Sequence, residues 1–340
     1  MPGFWSFFTH FFPPKPTFRE QDVPDLQGKV YIVTGSNTGI GKEVARLLYT
    51  KNAKVYVAAR SEDKAQQAIK DIKDSTLSSK GSIVFLHLDL SDLLNVKATA
   101  EGFLSQEHRL HGLFNNAGVM VSPVEPPLKT SQGYELALGV NCVGTFLFTK
   151  LLTPTLVATS EVSLPNTVRI VWLSSYALEL SGHEGIGLST DNLDYQIPVA
   201  ASERYGLSKS GVWALAVEYG RRYKEDGIIS VPVNPGNIVS ELTRDQGFAI
   251  KLVAKLACYP TVYGAITQLY AAYSPEVAVA DFSKTWVAPF GRILPLRPDL
   301  PRATLPEAEG GTGGTAKFWE WCEDQAIFLK IQSFSTLRPR

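Results

Sequence analysis

From residue 28 onward, short apolar runs alternate along the chain with longer stretches of helical spacing. Lys29–Thr34 (KVYIVT), Lys54–Ala59 (KVYVAA), Ser82–Leu88 (SIVFLHL), Gly112–Asn115, Thr167–Ser174 (TVRIVWLS) and Ile228–Val233 (IISVPV) have the length and β-branched content of buried strands, with Thr285–Ala288 as a final edge strand. Helices are predicted over Gly41–Lys51, Glu62–Lys73, a stretch opening at the cap Ser91, Ser131–Val157, Tyr205–Lys224 and Thr261–Tyr273. Strands that are apolar throughout and separated by helices of ten or more residues imply βαβ units, hence an α/β protein built on a doubly wound parallel sheet. No Pro/Gly/Ser linker divides residues 28–290, so they read as one domain. Residues 1–27 form an apolar N-terminal arm, and 291–340 a C-terminal loop and helix. Within that extension, Leu294–Gly314 reads as a surface loop and Thr315–Ile331 as an amphipathic helix, with Phe318, Trp321, Cys322 and Phe328 near one face.

Chemistry enters at the first strand-to-helix turn, Thr34-Gly-Ser-Asn-Thr-Gly-Ile-Gly41. Gly35, Gly39 and Gly41 permit tight curvature and close approach of the backbone to a pyrophosphate, and a helix N-terminus supplies free N–H donors. That makes Gly35, Ser36, Gly39, Ile40 and Gly41 candidates for dinucleotide contact. At the end of the second strand stands Ala59-Arg60-Ser61, with no carboxylate to take ribose hydroxyls. Arg60, supported by Lys64 and Lys42, therefore points to a 2′-phosphate and to NADP(H) over NAD(H). Asp89, after the third strand, is placed for the adenine side or as an extra helix cap.

Tyr205-Gly-Leu-Ser-Lys209 opens a helix, so Tyr205 and Lys209 share a face. An ammonium beside a phenol favours the phenolate and makes tyrosine a usable acid or base. Ser175, at the carboxyl end of the fifth strand, lies at the edge where open α/β sheets bind ligands; its neighbour Ser174 is the competitor. TGSNTGIG (34–41), Asp89-Leu90, Asn115-Asn-Ala-Gly118, Asn141, Leu173-Ser-Ser175, YGLSK (205–209) and Asn234-Pro-Gly236 together resemble, in order, the motifs of the short-chain dehydrogenase/reductase family over residues 28–290. The resemblance implies a Rossmann-like fold and a catalytic set of Asn141, Ser175, Tyr205 and Lys209. In that set Tyr205 exchanges the proton, Lys209 holds the ribose and lowers the tyrosine pKa, Ser175 positions the substrate oxygen, and Asn141 supports a water relay to Lys209. It also implies that Ile40 packs beneath a nicotinamide, Asn116 approaches the adenosine ribose, and Ile238 and Ser240 contact the carboxamide and a phosphate. The long gap from Ser175 to Tyr205 is similar to the retinol-dehydrogenase-like branch, and FFPPKPTF (11–18) and VAPFGR (287–292) are similar to fungal ketoreductases of specialised metabolism.

Composition narrows the picture further. Lys+Arg and Asp+Glu are both 33, so no overall field draws the chain to nucleic acid. Cys142, Cys258 and Cys322 are scattered and odd in number, which suits a reducing, cytoplasmic setting, and each reads as a small hydrophobe. His108 and His111 read as surface residues without a metal pattern. The aromatic segment of residues 1–12 is too short to span a bilayer and lacks a basic face. It is expected to fold back over the domain, with membrane-surface contact the lesser reading, and a homodimer is a further expectation. Tyr176, Leu178, Leu180, Tyr195, Phe248 and Tyr259 are expected to wall a site for a bulky apolar or aromatic ketone or alcohol, or else to be ordinary core. Two other functions remain open: a redox-neutral dehydratase or isomerase on the same tyrosine, and a non-catalytic cofactor sensor.

Overall fold

A computed structural model describes residues 3–120, 126–239 and 258–335. Each predicted strand is present: β1 (Val30–Thr34), β2 (Lys54–Ala59), β3 (Ser82–His87), β4 (Gly112–Asn115), β5 (Val168–Leu173), β6 (Ile228–Val233) and β7 (Thr285–Ala288). β1, β4 and β5 are buried along their whole length, as strands covered on both faces must be. β3 departs from the expected buried run. It is the edge strand, and Ser82, Val84 and His87 face solvent. An eighth strand, β8 (Arg292–Pro295), falls where the sequence reads as the start of a loop, and it pairs antiparallel with β7. The sheet order is β3-β2-β1-β4-β5-β6-β7-β8. The chain therefore winds outward in both directions from β1 and β4, and the crevice above their carboxyl ends is the switch point at which such sheets bind ligands.

Among the helices, α1 (Phe4–Phe11) precedes the sheet; α2 (Gly39–Thr50), α3 (Glu62–Ser75), α4 (Leu93–Leu104), α5 (Thr145–Glu161), α6 (Ala177–Ser181) and α7 (Ala201–Arg222) follow. After β6 come α8 (Thr261–Tyr273), α9 (Pro275–Ala278) and the C-terminal α10 (Gly314–Ser335). One face of the sheet is covered by α4, α5 and α7, the other by α2, α3 and α8. The cap of α4 is Asp92, whose carboxylate accepts from Leu94 N at 3.0 Å, rather than Ser91; the Ser91 amide and hydroxyl are both given to Asp89. The helix predicted over Ser131–Val157 starts later and is not uniform: Leu138–Gly144 is a π-helix that runs into α5. Leu138–Glu161 is long and apolar enough to cross a bilayer by length and composition, yet most of it is buried in this fold as a core helix.

The terminal extensions belong to the same packed body. Val23 and Leu26 sit in the core beside β1, α2 and α8, and Phe18 meets the Tyr270 ring edge-on at 5.8 Å. α10 lies along α7 and buries Phe318 and Cys322 of the predicted face, with Trp321 half-buried; the side chain of Phe328 lies outside the described residues. It also buries Trp319, which meets Phe146 edge-on at 4.9 Å with Arg222 4.8 Å above its ring. The region 294–314 is ordered by β8 and by short 3-10 turns at Leu300–Thr304 and Glu307–Glu309. His111 is a correction to its surface reading: it is buried, and its Nδ1 accepts from Val30 N at 3.0 Å. Cys142 and Cys322 are buried, Cys258 is partly so, and no metal-ligating cluster occurs among the described residues.

Candidate active site

The glycine turn between β1 and α2 is built for close approach. Gly35 (φ +65°) passes so near Ala117 that a Cβ would lie 2.9 Å from its Cα, and Gly41 would meet the Asn116 amide at 2.4 Å. Gly39 (φ +58°) is different, since a Cβ there would meet open space. The helix behind it has no side-chain cap, because Thr38 does not fold over its first amides. Free donors and a positive dipole end thus face an uncrowded surface, which fits the pyrophosphate of a dinucleotide. Ser36 is turned inward and donates to Val33 O at 2.6 Å, so its hydroxyl braces the turn.

Around this loop the remaining predicted residues take distinct positions. Gly35 N donates to Ala58 O, which sets the loop beside the end of β2, where Arg60 is exposed. Lys64 is also exposed, with its backbone amide on the Ser61 cap. Lys42 is committed elsewhere: it donates to Asp71 at 2.6 Å, which neutralises the charge expected of it. Asp89 accepts from the amide and the hydroxyl of Ser91, so its carboxylate shapes the β3–α4 turn. Asn116 donates to Thr34 O at 2.9 Å and accepts from Gln268 of α8 at 2.9 Å, which fixes its amide. Ile40 and Ile238 converge on Gly264, where a Cβ would lie 2.9 and 3.1 Å from them. Ser240 and Phe248 lie outside the described residues.

The residues expected from the sequence to handle the proton meet above the carboxyl ends of β4 and β5. Ser174 donates to Lys209 O at 2.8 Å and is buried, whereas Ser175 is partly accessible; its Oγ accepts from Ala177 N at 3.2 Å and lies near enough to the Tyr205 hydroxyl to lower its pKa. Of the two serines, only Ser175 faces the tyrosine. Lys209 is buried, donates to Leu173 O at 2.8 Å, and stands 5.8 Å from the Tyr205 ring centroid. Asn141 lies in the π-helix and mimics a strand partner for Val119. Its Oδ1 accepts from Val119 N at 2.8 Å, and its Nδ2 donates to Val119 O at 3.1 Å and to Ser208 Oγ at 2.9 Å. Ser208 in turn donates to Tyr205 O, so the π-segment is tied to the helix turn that carries the phenol. Such π-segments occur frequently at functional sites, since one extra residue re-aims a side chain.

Electrostatics differ from the expectation that Lys209 acidifies Tyr205. Burial pushes the Tyr205 hydroxyl up to about 12, offset in part by the nearby Ser175 hydroxyl, and the same burial brings Lys209 down to about 8. Loss of solvation is the largest cause at both groups. The expected substrate wall is likewise sorted by the fold. Leu178 is core and Leu180 faces solvent, because the short α6 presents only one side to the interior. Tyr176 is buried directly after Ser175, Tyr195 packs against the core, and Tyr259 bridges to Ile238. Gly118, Gly264 and Gln268 carry much of the site's geometry. Gly118 sits inside a quoted motif, whereas α8 is too distant in sequence for spacing to have linked it to the glycine loop.

A family model for short chain dehydrogenases matches residues 29–186. Short-chain dehydrogenase/reductase bet4 of Neocamarosporium betae is 50% identical over 94% of this chain and 92% of its own length. The chain belongs to the short-chain dehydrogenase/reductase family. A second member, from Phomopsis amygdali, is 48% identical over 92% of this chain and 94% of its own. The fold is also similar to solved structures: an uncharacterized protein from Mycobacterium paratuberculosis (TM-score 0.65, 24% identity, 91% of this chain and 97% of that one) and the Pseudomonas aeruginosa RhlG/NADP active-site complex (TM-score 0.58, 21%, 76% and 94%). The 3-ketoacyl-(acyl-carrier-protein) reductase from Brucella melitensis complexed with NADH has a TM-score of 0.57 at 20% identity, covering 75% and 95%. This short-chain dehydrogenase/reductase is accordingly an oxidoreductase with a Rossmann-like, NAD(P)(H)-binding fold.

Proposed function

We propose that the protein is an NADPH-dependent carbonyl reductase, reversible as an alcohol dehydrogenase, acting on an apolar or aromatic ketone with Tyr205 as the general acid. The observation that carries this reading is the convergence of Ser175 and Tyr205, both partly accessible, beside a buried Lys209 whose ammonium stands 5.8 Å from the Tyr205 ring centroid. The glycine loop would hold the dinucleotide, which would supply the hydride for the carbonyl carbon. Ser175 Oγ donates to the substrate oxygen and holds it where negative charge develops. Tyr205 Oη delivers its proton to that oxygen. With its pKa raised by burial, the phenol is protonated across the neutral range, the form a general acid needs. Lys209 and Tyr205 would hold the ribose, and Asn141 pairs with the Val119 backbone next to Gly118, which borders Lys209.

The amides of Gly35–Gly41 take the pyrophosphate in this reading, Asn116 and Asp89 border the adenosine, and Ile40 and Ile238 support the nicotinamide. Arg60, exposed at the end of β2 with no carboxylate beside it in sequence, favours a 2′-phosphate and hence NADP(H). A ketone panel assayed in parallel with NADPH and NADH tests the assignment. Faster turnover of apolar ketones with NADPH supports it. Product formed without loss of reduced nicotinamide places the chemistry in the redox-neutral class. Activity confined to small charged keto acids contradicts the substrate class.

A further inference from the structure

The aromatic arm and the VAPFGR segment stand nearly three hundred residues apart in sequence but touch in the fold. An eight-residue helix has too few internal hydrogen bonds to persist in water by itself, so α1 is held by what it docks on. Its last-turn carbonyls, which no helix amide can reach, are met by side chains from the carboxyl edge of the sheet. Arg292 donates from Nη2 to Thr9 O at 2.8 Å and from Nη1 to Thr9 Oγ1 at 3.2 Å, and the Tyr259 hydroxyl donates to Phe11 O at 3.4 Å. Tyr259 belongs to the segment that follows β6, through backbone bonds to Asn237 and Val239.

On its inner side, α1 packs three of its rings around Tyr176 and sets His10 5.5 Å from the Trp286 ring. The rings of His10, Phe11 and Phe7 lie 4.9, 5.4 and 6.3 Å from that of Tyr176, and Phe7 stacks on Phe11 at 4.0 Å. Ser6 Oγ donates to Glu179 Oε2 at 2.7 Å; Glu179 is fully buried, and its other oxygen has no partner among the described residues. Tyr176 directly follows Ser175. The Ala177 carbonyl and Ser181 pack on Gly206, next to Tyr205, where a Cβ would lie 2.9 and 2.2 Å from them. A displacement of α1 therefore passes through Tyr176 and α6 to both groups of the proposed acid site.

We propose that α1, clamped by Arg292 and Tyr259, is a positioning element of this active site: it fixes Ser175 through Tyr176 and sets how bulky a ketone the site accepts. The proposal rests on the reading of Ser175 and Tyr205 above. The test compares full-length wild type with Arg292→Ala and Phe11→Asp, all saturated with NADPH, by hydrogen exchange and by reduction of butan-2-one and 2-acetylnaphthalene. In at least one variant, exchange should rise over residues 3–20 and, coupled to it, over 175–182. KM for the naphthyl ketone should change by about tenfold and kcat should fall for both ketones, while NADPH affinity stays at the wild-type value. Exchange that rises in the arm alone, an arm left undisturbed by both substitutions, or an unchanged KM for the bulky ketone overturns the proposal. Wild-type protein that reduces neither ketone sinks the functional reading instead, and the exchange coupling still decides the role of α1.

Discussion

A methyl group on Gly118 would lie 3.1 Å from the Lys209 ammonium nitrogen and 3.3 Å from Asn141 Oδ1. Glycine is required there because the lysine and the asparagine approach the backbone from opposite chain segments. Gly118→Ala should fold, since both neighbours can give by a few tenths of an ångström, yet kcat should fall about tenfold or more as Lys209 is displaced. Steady-state kinetics beside a thermal melt separate the two effects. Two buried histidines make stability depend on pH. Loss of solvation lowers His10 and His111 to about 4 from 6.5, with Arg292 adding to the effect at His10. Between those values the unfolded chain binds protons that the folded chain refuses, so stability falls as pH drops from 6.5 toward 4, by up to about 3 kcal/mol per histidine. Glu135 and Glu179, raised by burial, act with the opposite sign above 4.5. Urea unfolding at pH 7 and pH 5 should show the net slope, and His10→Phe should make it shallower. An unchanged slope contradicts a neutral, buried His10.

At the scale of elements, α8 decides how the cofactor loop meets its far wall. Gly264 lets Ile40 and Ile238 close over the helix, and Gln268 orients Asn116. Gly264→Val should weaken NADPH binding about tenfold, or about 1.4 kcal/mol, while the fold persists, as fluorescence titration would show. Strands were legible because both faces of the sheet are covered, which turns burial into unbroken apolar runs. β3 was less so, since an edge strand has one open side. The π-helix was not legible: local pattern predicts a single helix over Ser131–Val157, whereas the pairing of Asn141 with Val119 is a contact that forms only in the fold. Ser91 and Asp92 are adjacent cap-forming residues, and the choice between them was made by Asp89, which takes both Ser91 donors.

For the molecule as a whole, the N- and C-terminal extensions complete the core around one doubly wound sheet. Trp319 is 1% exposed between α5 and α7, although a face drawn through Phe318 and Cys322 passes it by, because α10 packs into a groove rather than on a flat surface. Trp319→Ala should cost about 3–5 kcal/mol and lower the melting temperature without changing KM, which a melt and a kinetic assay check together. The ordered glycine loop, Ser175, Tyr205 and Lys209 could be placed from sequence because their motifs are local. The clamp on α1 could not, since Arg292 and Thr9 meet only after folding. The most direct test of the account follows NADPH oxidation with an apolar ketone in wild type and in Tyr205→Phe, with NADPH binding measured on both. A loss of turnover by about 10²–10⁴-fold with unchanged NADPH affinity is the predicted result. Turnover that survives the loss of the phenol hydroxyl would contradict it.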